Sequence, residues 1–241
     1  RAEEAGADLE RFVYTVSHDL KSPLVVLLGF LDLLRRELGE AASEDAAFFM
    51  DRMQSSADYM QSLIHDLLEL SRIGRVETEA EVVDLDAVVH ELVDELRLMH
   101  PSARFSVDRL PSVVMNPVRA RQLFTNLFDN ALAHAGRPDV HVRVQASRRD
   151  EGELRVVVAD SGKGIAVADR ERVFLPFHRL DATAAPGTGI GLAACRKIVE
   201  QVGGVIRVGD SPVGASFEIE FPARMVRQDR VSARPDAAVG R

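Results

Sequence analysis

The sequence predicts two domains: an all-α antiparallel helical hairpin that forms a dimeric four-helix bundle, then an α+β sandwich. Three observations predict it. Leu9, Val13, Val16, Leu20, Leu24, Leu27, Leu31, Leu34 and Leu38 mostly alternate steps of four and three, which is the seam of a bundle helix. Ala46, Met50, Met53, Ala57, Met60, Ile64 and Leu67 repeat the pattern in a second helix. After Gly74 the texture changes to short β-branched runs between helical stretches.

The first helix is expected to run to about Leu38, with Gly39 as its stop. Its seam carries consecutive fours at Val16, Leu20 and Leu24, a stutter, and Pro23 lies inside it. The connection Gly39 to Ser43 is short, so the two helices pack antiparallel. Two helices alone cannot bury stripes this wide, and a homodimer is the simplest solution. These residues, 1–74, form the first domain, and Gly74 to Glu81 is a polar linker.

The second domain, 75–222, starts with a short strand at Val82-Val83 and a helix over Leu85 to Met99 capped by Asp84. Arg104 to Asp108 and Val113 to Met115 read as strands. Asn116-Pro117 opens a helix, asparagine as the cap and proline in the first turn. Val140 to Ala146 and Leu154 to Ala159 are strands joined by the polar turn Arg148 to Gly152. Thr188 to Val202 is read as a helix. Val205 to Val208 and Ala215 to Phe221 form a closing hairpin around Pro212 and Gly214. The result is one mixed sheet under one helical layer. Residues 223–241, rich in arginine, alanine, proline and aspartate, read as a disordered tail.

Composition narrows the function. The net charge of -8 and pI near 5.4 argue against broad nucleic-acid binding. The lone Cys195 permits no intramolecular disulfide, which suits a reducing, cytoplasmic setting. No apolar run approaches the length of a membrane span. The chain opens in mid-helix at Arg1 to Glu10, as expected of a piece of a longer protein whose input domain lies outside it.

The residues that carry chemistry come in separate groups. In Ser17-His18-Asp19-Leu20-Lys21-Ser22-Pro23-Leu24, a histidine stands beside a carboxylate on a helix. At about 100° per residue His18 falls roughly 160–200° from Leu20, away from the seam and toward solvent. A neutral imidazole there is a nucleophile. The helix after Pro117 has an unusual polar stripe of Arg119, Gln122, Asn126, Asn130 and His134, opposite Leu123, Leu127, Phe128 and Ala131. Asparagine is a mediocre helix former, so Asn126 and Asn130 look selected for their side chains. Amide oxygens suit a hard cation such as Mg²⁺ that already carries phosphate oxygens.

Asp160-Ser161-Gly162-Lys163-Gly164-Ile165 leaves a buried-looking strand. A carboxylate there can accept from an adenine amino group, and the glycines let the backbone pass close to the base. Pro186-Gly187-Thr188-Gly189-Ile190-Gly191-Leu192 places three alternating glycines at a helix start, where exposed N–H groups favour phosphate. It is not a Walker loop, because no Gly-Lys-Ser/Thr follows. Between the two lies a small-residue stretch, Asp181 to Ala185, read as a lid anchored by Phe174 and Phe177, both also expected in the core.

Taken in order, these motifs resemble the transmitter of a sensor histidine kinase, most of all its phytochrome-like branch. Ser17 to Leu24 resembles the phosphoacceptor box and Gln122 to His134 the asparagine box. Asp160 to Ile165 resembles the first glycine box, Phe174 to Phe177 the phenylalanine box and Gly187 to Leu192 the second glycine box. The resemblance runs from about Phe12 to Pro222 and implies a sandwich of the GHKL (Bergerat) ATPase type. It implies that His18 takes the γ-phosphoryl of ATP, assisted by Asp19, and passes it to an aspartate of a response-regulator receiver. Asn130 would ligate Mg²⁺ with Asn126 assisting, Asp160 would read adenine beside Gly162 and Gly164, and Gly187, Thr188, Gly189 and Gly191 would hold the phosphates.

Three positions depart from the family pattern. Ala133 stands where a lysine or arginine is common, so His134, His178 or Arg179 is expected to replace that phosphate contact. Ser22 stands where threonine or asparagine is linked to dephosphorylating the regulator, and Asn116 replaces a common aspartate. Two other readings compete: a GHKL-fold ATPase or protein kinase of another kind, and a non-catalytic dimeric relay with a decayed ATP site. The helical hairpin with His18 counts against the first. Asn130, Asp160 and the three loop glycines count against the second.

Overall fold

The computed structural model describes residues 2–39, 43–74, 79–149, 152–180 and 187–227, and the side chains from residue 20 onward. The chain divides into two compact units, Arg1–Glu77 with Ile165–Gln201, and Thr78–Gly164 with Val202–Arg241. The segment 165–201 therefore groups with the helices, although it lies between two parts of the sheet unit in sequence.

In the helical unit, α1 (Ala2–Leu38) and α2 (Glu44–Arg72) form the expected antiparallel hairpin. Gly39, with φ of +48°, follows the end of α1, and the Ser43 hydroxyl caps α2 by accepting the Ala46 N–H at 3.2 Å. Leu24 and Leu31 are buried, as are Met50 and Ala57, each pair seven residues apart. The other half of each stripe, Leu20, Leu27 and Leu34 with Met53 and Met60, remains exposed on this single chain. One seam is filled by the hairpin itself, and the second is open. No described helix is long and apolar enough to cross a membrane.

The sheet unit opens with β1 (Glu81–Asp84), α3 (Leu85–Met99), β2 (Arg104–Val107), β3 (Ser112–Met115) and α4 (Pro117–His134). It continues with β4 (His141–Arg148) and β5 (Leu154–Asp160), and it closes with β6 (Val205–Val208) and β7 (Ser216–Phe221). Asp84 caps α3 through the N–H groups of Asp86 and Ala87, and Asn116 caps α4 through that of Arg119 at 3.1 Å. The expected single sheet is corrected to two. β2-β4-β5-β7-β6 form a five-stranded sheet, mixed because only β2 and β4 run parallel, while β1 and β3 pair separately as an antiparallel ribbon. Phe124 and Phe128 of α4, Phe217 and Phe221 of β7, and Leu123, Leu127 and Leu154 are fully buried. Each such side chain contributes about 1.5–3 kcal/mol of burial. α4 is thus held by its apolar face, which leaves its polar stripe for other work.

Two further expectations are corrected. The last helix, α5 (Gly191–Gln201), starts three residues later than read, because Gly189 at φ +75° cannot lie in a right-handed helix. The first residues of the expected tail are structured: Ala223–Met225 form a 3₁₀ turn, Val226 bridges Val113, and the Arg227 N–H donates to the Ser112 carbonyl at 2.9 Å, while 228–241 lie outside the described residues.

Candidate functional site

In the sheet unit the site grows from the end of β5. The strand delivers Asp160 to the rim, where its Oδ1 accepts two backbone N–H groups, from Gly162 at 2.7 Å and from Ala215 at 3.1 Å. Both bonds fall on one oxygen, so among the described residues Oδ2 is left to accept from an outside donor. Burial pushes the Asp160 carboxyl above its ordinary value of 3.8, while the two N–H donors and the nearby His134 pull it the other way.

Glycines shape the space around that carboxylate. A Cβ on Gly162 would stand 2.7 Å from the Ala135 Cα, just past the end of α4. Gly164, at φ +76°, brings its backbone against the Gly214 carbonyl. Gly214 itself presses on Asp160. The sequence reading gave Gly214 only a place in a turn; its contact joins a position in the β6–β7 connection to one at the end of β5, and no local pattern reports it. Ser161 closes the rim by accepting the His141 N–H at 2.9 Å.

α4 runs toward the same rim. Asn126 and Asn130 are one turn apart and half-buried, and His134 lies a turn further on, exposed and within electrostatic reach of Asp160. Ala133 is exposed beside it. Asn130, His134, Asp160, Gly162 and Gly164 thus belong to one compact unit and converge where α4 and β5 both end.

The helical unit holds the other residues. His18 and Asp19 lie on α1, one turn before Pro23, and their side chains fall outside those described. The expected lid, Asp181 to Ala185, also lies outside the described residues. On either side of it the chain is tied together: the Phe177 N–H donates to the Gly189 carbonyl at 3.0 Å. A Cβ on Gly189 would stand 3.0 Å from the Phe177 carbonyl carbon and 3.2 Å from Arg179 Cγ, so at its φ of +75° a side chain there is both crowded and strained. Gly187 is exposed, Thr188 is buried and Gly191 is the first residue of α5. Arg179 is half-buried against the loop.

The two phenylalanines part company. Phe174 is buried, and the Arg196 guanidinium sits 4.2 Å over its ring while pairing with Glu171 at 2.9 Å. Phe177 is 56% exposed, which corrects the expectation of core packing. Its φ of +63°, rare for a side chain of this size, turns it outward while its N–H holds the glycine loop.

Comparison with known proteins agrees across both units. Residues 8–75 match the His Kinase A (phospho-acceptor) domain family. Residues 115–225 match the histidine kinase-, DNA gyrase B- and HSP90-like ATPase family. The phytochrome-like protein Cph1 of Synechocystis sp. is 32% identical over 91% of this chain, and the methanogenesis regulatory histidine kinase FilI of Methanothrix harundinacea is 36% identical over 85%. The chain spans 30% and 23% of the length of those two relatives. Among solved structures, full-length ShkA in complex with AMPPNP superposes with a TM-score of 0.67 at 28% identity, over 88% of this chain and 45% of that one.

Proposed function

This chain belongs to the sensor histidine kinases, as a transmitter with a phosphoacceptor region and a GHKL-type ATPase region, and from that premise we propose that it phosphorylates His18 from Mg²⁺-ATP and passes the phosphoryl group to an aspartate of a response-regulator receiver. The observation that carries the proposal is the Asp160 carboxylate, with Oδ1 held by two backbone donors, one of them the Gly162 N–H, and Oδ2 taken by none of the described residues. An adenine amino group is a donor of the right kind for that oxygen, and a backbone without side chains admits a flat base.

Asn126 and Asn130 supply amide oxygens from one face of α4, and His134 stands between them and the adenine end. Among the described residues no three His, Cys, Asp or Glu side chains gather as a metal cluster. That donor set fits Mg²⁺ carried by the phosphates and held through amides rather than a protein carboxylate cage. Bound there, Mg²⁺ would neutralise charge on the triphosphate. Gly187, Thr188, Gly189 and Gly191 are assigned to the phosphates by the family pattern. Arg179 supplies the charge missing at Ala133.

An unprotonated His18 ring nitrogen forms the new bond to the γ-phosphorus, the bond to the β,γ-bridging oxygen breaks, and ADP leaves. Asp19, adjacent in sequence, holds the other ring nitrogen's proton. The transmitter works as a homodimer, for which the open seam of Leu20, Leu27 and Leu34 is the apolar surface.

Incubation with γ-labelled ATP and Mg²⁺ tests the proposal. Label that survives alkali and is lost in acid marks a phosphoramidate on histidine. His18→Gln is expected to abolish it and to leave nucleotide binding intact; persistent label on that variant sinks the assignment.

A further inference from the structure

Thr188 is the second residue of the glycine loop, and its hydroxyl is already in use. It donates to Asp66 Oδ2 of α2 at 2.5 Å and accepts the Ile190 N–H at 3.4 Å. The Ile190 donor takes an acceptor position on the oxygen, so the hydroxyl proton is directed at the carboxylate. The bond is shielded, since Thr188 is only 8% exposed. A second bond grips the same segment: Lys197 Nζ of α5 donates to the Leu70 carbonyl at 3.2 Å, one turn further along α2. The last turns of α2 therefore hold the loop and the helix behind it at two points.

A hydroxyl has one proton to give. It can serve the Asp66 carboxylate or a phosphate oxygen, and a carboxylate next to a phosphate also repels it. We infer that Asp66 is an autoinhibitory latch: it holds the glycine loop through Thr188, and a nucleoside triphosphate must displace it to engage that loop. This rests on the reading of 187–191 as the phosphate loop. By linkage, whatever loosens Asp66 raises nucleotide affinity, and bound nucleotide loosens the hold of α2 on the loop to the same degree. Because Asp66 sits on the hairpin, a shift of α2 along or about its axis reaches the nucleotide loop directly.

Titration of the full chain with a non-hydrolysable ATP analogue and Mg²⁺ tests the latch. Asp66→Ala is expected to tighten binding by roughly 5-fold or more. Asp66→Asn keeps the shape of the residue and removes its charge, so it is expected to give a smaller gain in the same direction, and it serves if the alanine variant does not fold. In a Thr188→Val background the Asp66 substitution is expected to change affinity by less than about twofold, because the bond it breaks is already absent. Unchanged or weaker binding in the Asp66 variants overturns the latch. An equal gain with and without the Thr188 hydroxyl also overturns it, because the effect is then one of charge alone. Asp160→Ala is the separate arm: if it leaves the analogue bound as before, the nucleotide reading itself has failed.

Discussion

Gly214 stands so close to Asp160 that a Cβ on the glycine would lie 2.7 Å from Asp160 Oδ1 and 2.6 Å from its carbonyl carbon. The φ of Gly214 is +74°, so a side chain there is strained as well as crowded. Gly214→Ala is expected to cost about 1–3 kcal/mol of stability from the backbone alone and to displace the carboxylate. Gly152, at φ +82°, offers a control: among the described residues its Cβ would meet only Ala223, at 3.4 Å. Both variants should melt earlier, and only Gly214→Ala should also lose nucleotide affinity. Equal nucleotide binding by the two would remove Gly214 from the site.

Asp160 should matter through its charge. Losing a hydrogen bond to an ionised group costs about 1.5–3 kcal/mol, so Asp160→Ala should weaken ATP by roughly 10–150-fold. An unchanged dissociation constant counts against the role.

The pH dependence follows from burial. Burial raises the Asp160 carboxyl above 3.8 in the fold, and in the proposed contact to adenine the ionised carboxylate is the acceptor. Affinity should therefore fall on acidification at a higher pH than an ordinary aspartate would require. The stability term has the opposite sense: the folded state binds this proton more readily than the unfolded chain, so ionisation of Asp160 costs stability above its folded value, and the cost is relieved as pH falls through it. Melts of the parent and Asp160→Asn across the acid range should show the parent gaining relative to the variant as pH falls. A gap that moves the other way contradicts the burial argument.

Asn130→Asp should stop autophosphorylation while the fold survives, since Asn130 is half-buried on the polar stripe of α4 and the helix is held by Leu127, Phe128 and Ala131. Circular dichroism and label incorporation separate the two effects. Wild-type rates in this variant remove Asn130 from the reaction.

Leu27 is 61% exposed and Leu34 45% on the single chain, while Leu24 and Leu31 are buried. Leu27→Lys with Leu34→Lys should shift the protein from dimer to monomer in sedimentation at micromolar concentration, with its helix content kept. A parent chain that sediments as a monomer would rule out the bundle.

Arg179→Ala should weaken ATP more than ADP if the arginine reaches the γ-phosphate, and Ala133→Lys should partly restore the difference. Arg179 Cγ lies against the position a Gly189 side chain would take, which puts the stem of the arginine beside the loop. Equal loss for both nucleotides would assign Arg179 to holding the loop's shape instead.

The sequence by itself determined the parts whose signals are local. The two helices with their heptad stripes, Asp84 and Asn116 as caps, Gly39 as a stop and the polar stripe on α4 all depend on spacings within one element, and the described residues carry them where the spacing puts them. Strand ends moved by only a residue or two. The tertiary structure alone decided what depends on residues far apart in the chain. Val226 pairs with Val113, Gly214 presses on Asp160, and the Thr188 hydroxyl donates a hydrogen bond to Asp66, at separations no local period can report. It also decided that α5 waits until Gly191 and that Phe177 turns outward, because both follow from positive backbone angles at Gly189 and Phe177. A hydrophobic period says which face of an element is buried. It does not say which distant backbone will come close enough to require a glycine, or which carboxylate will claim a hydroxyl.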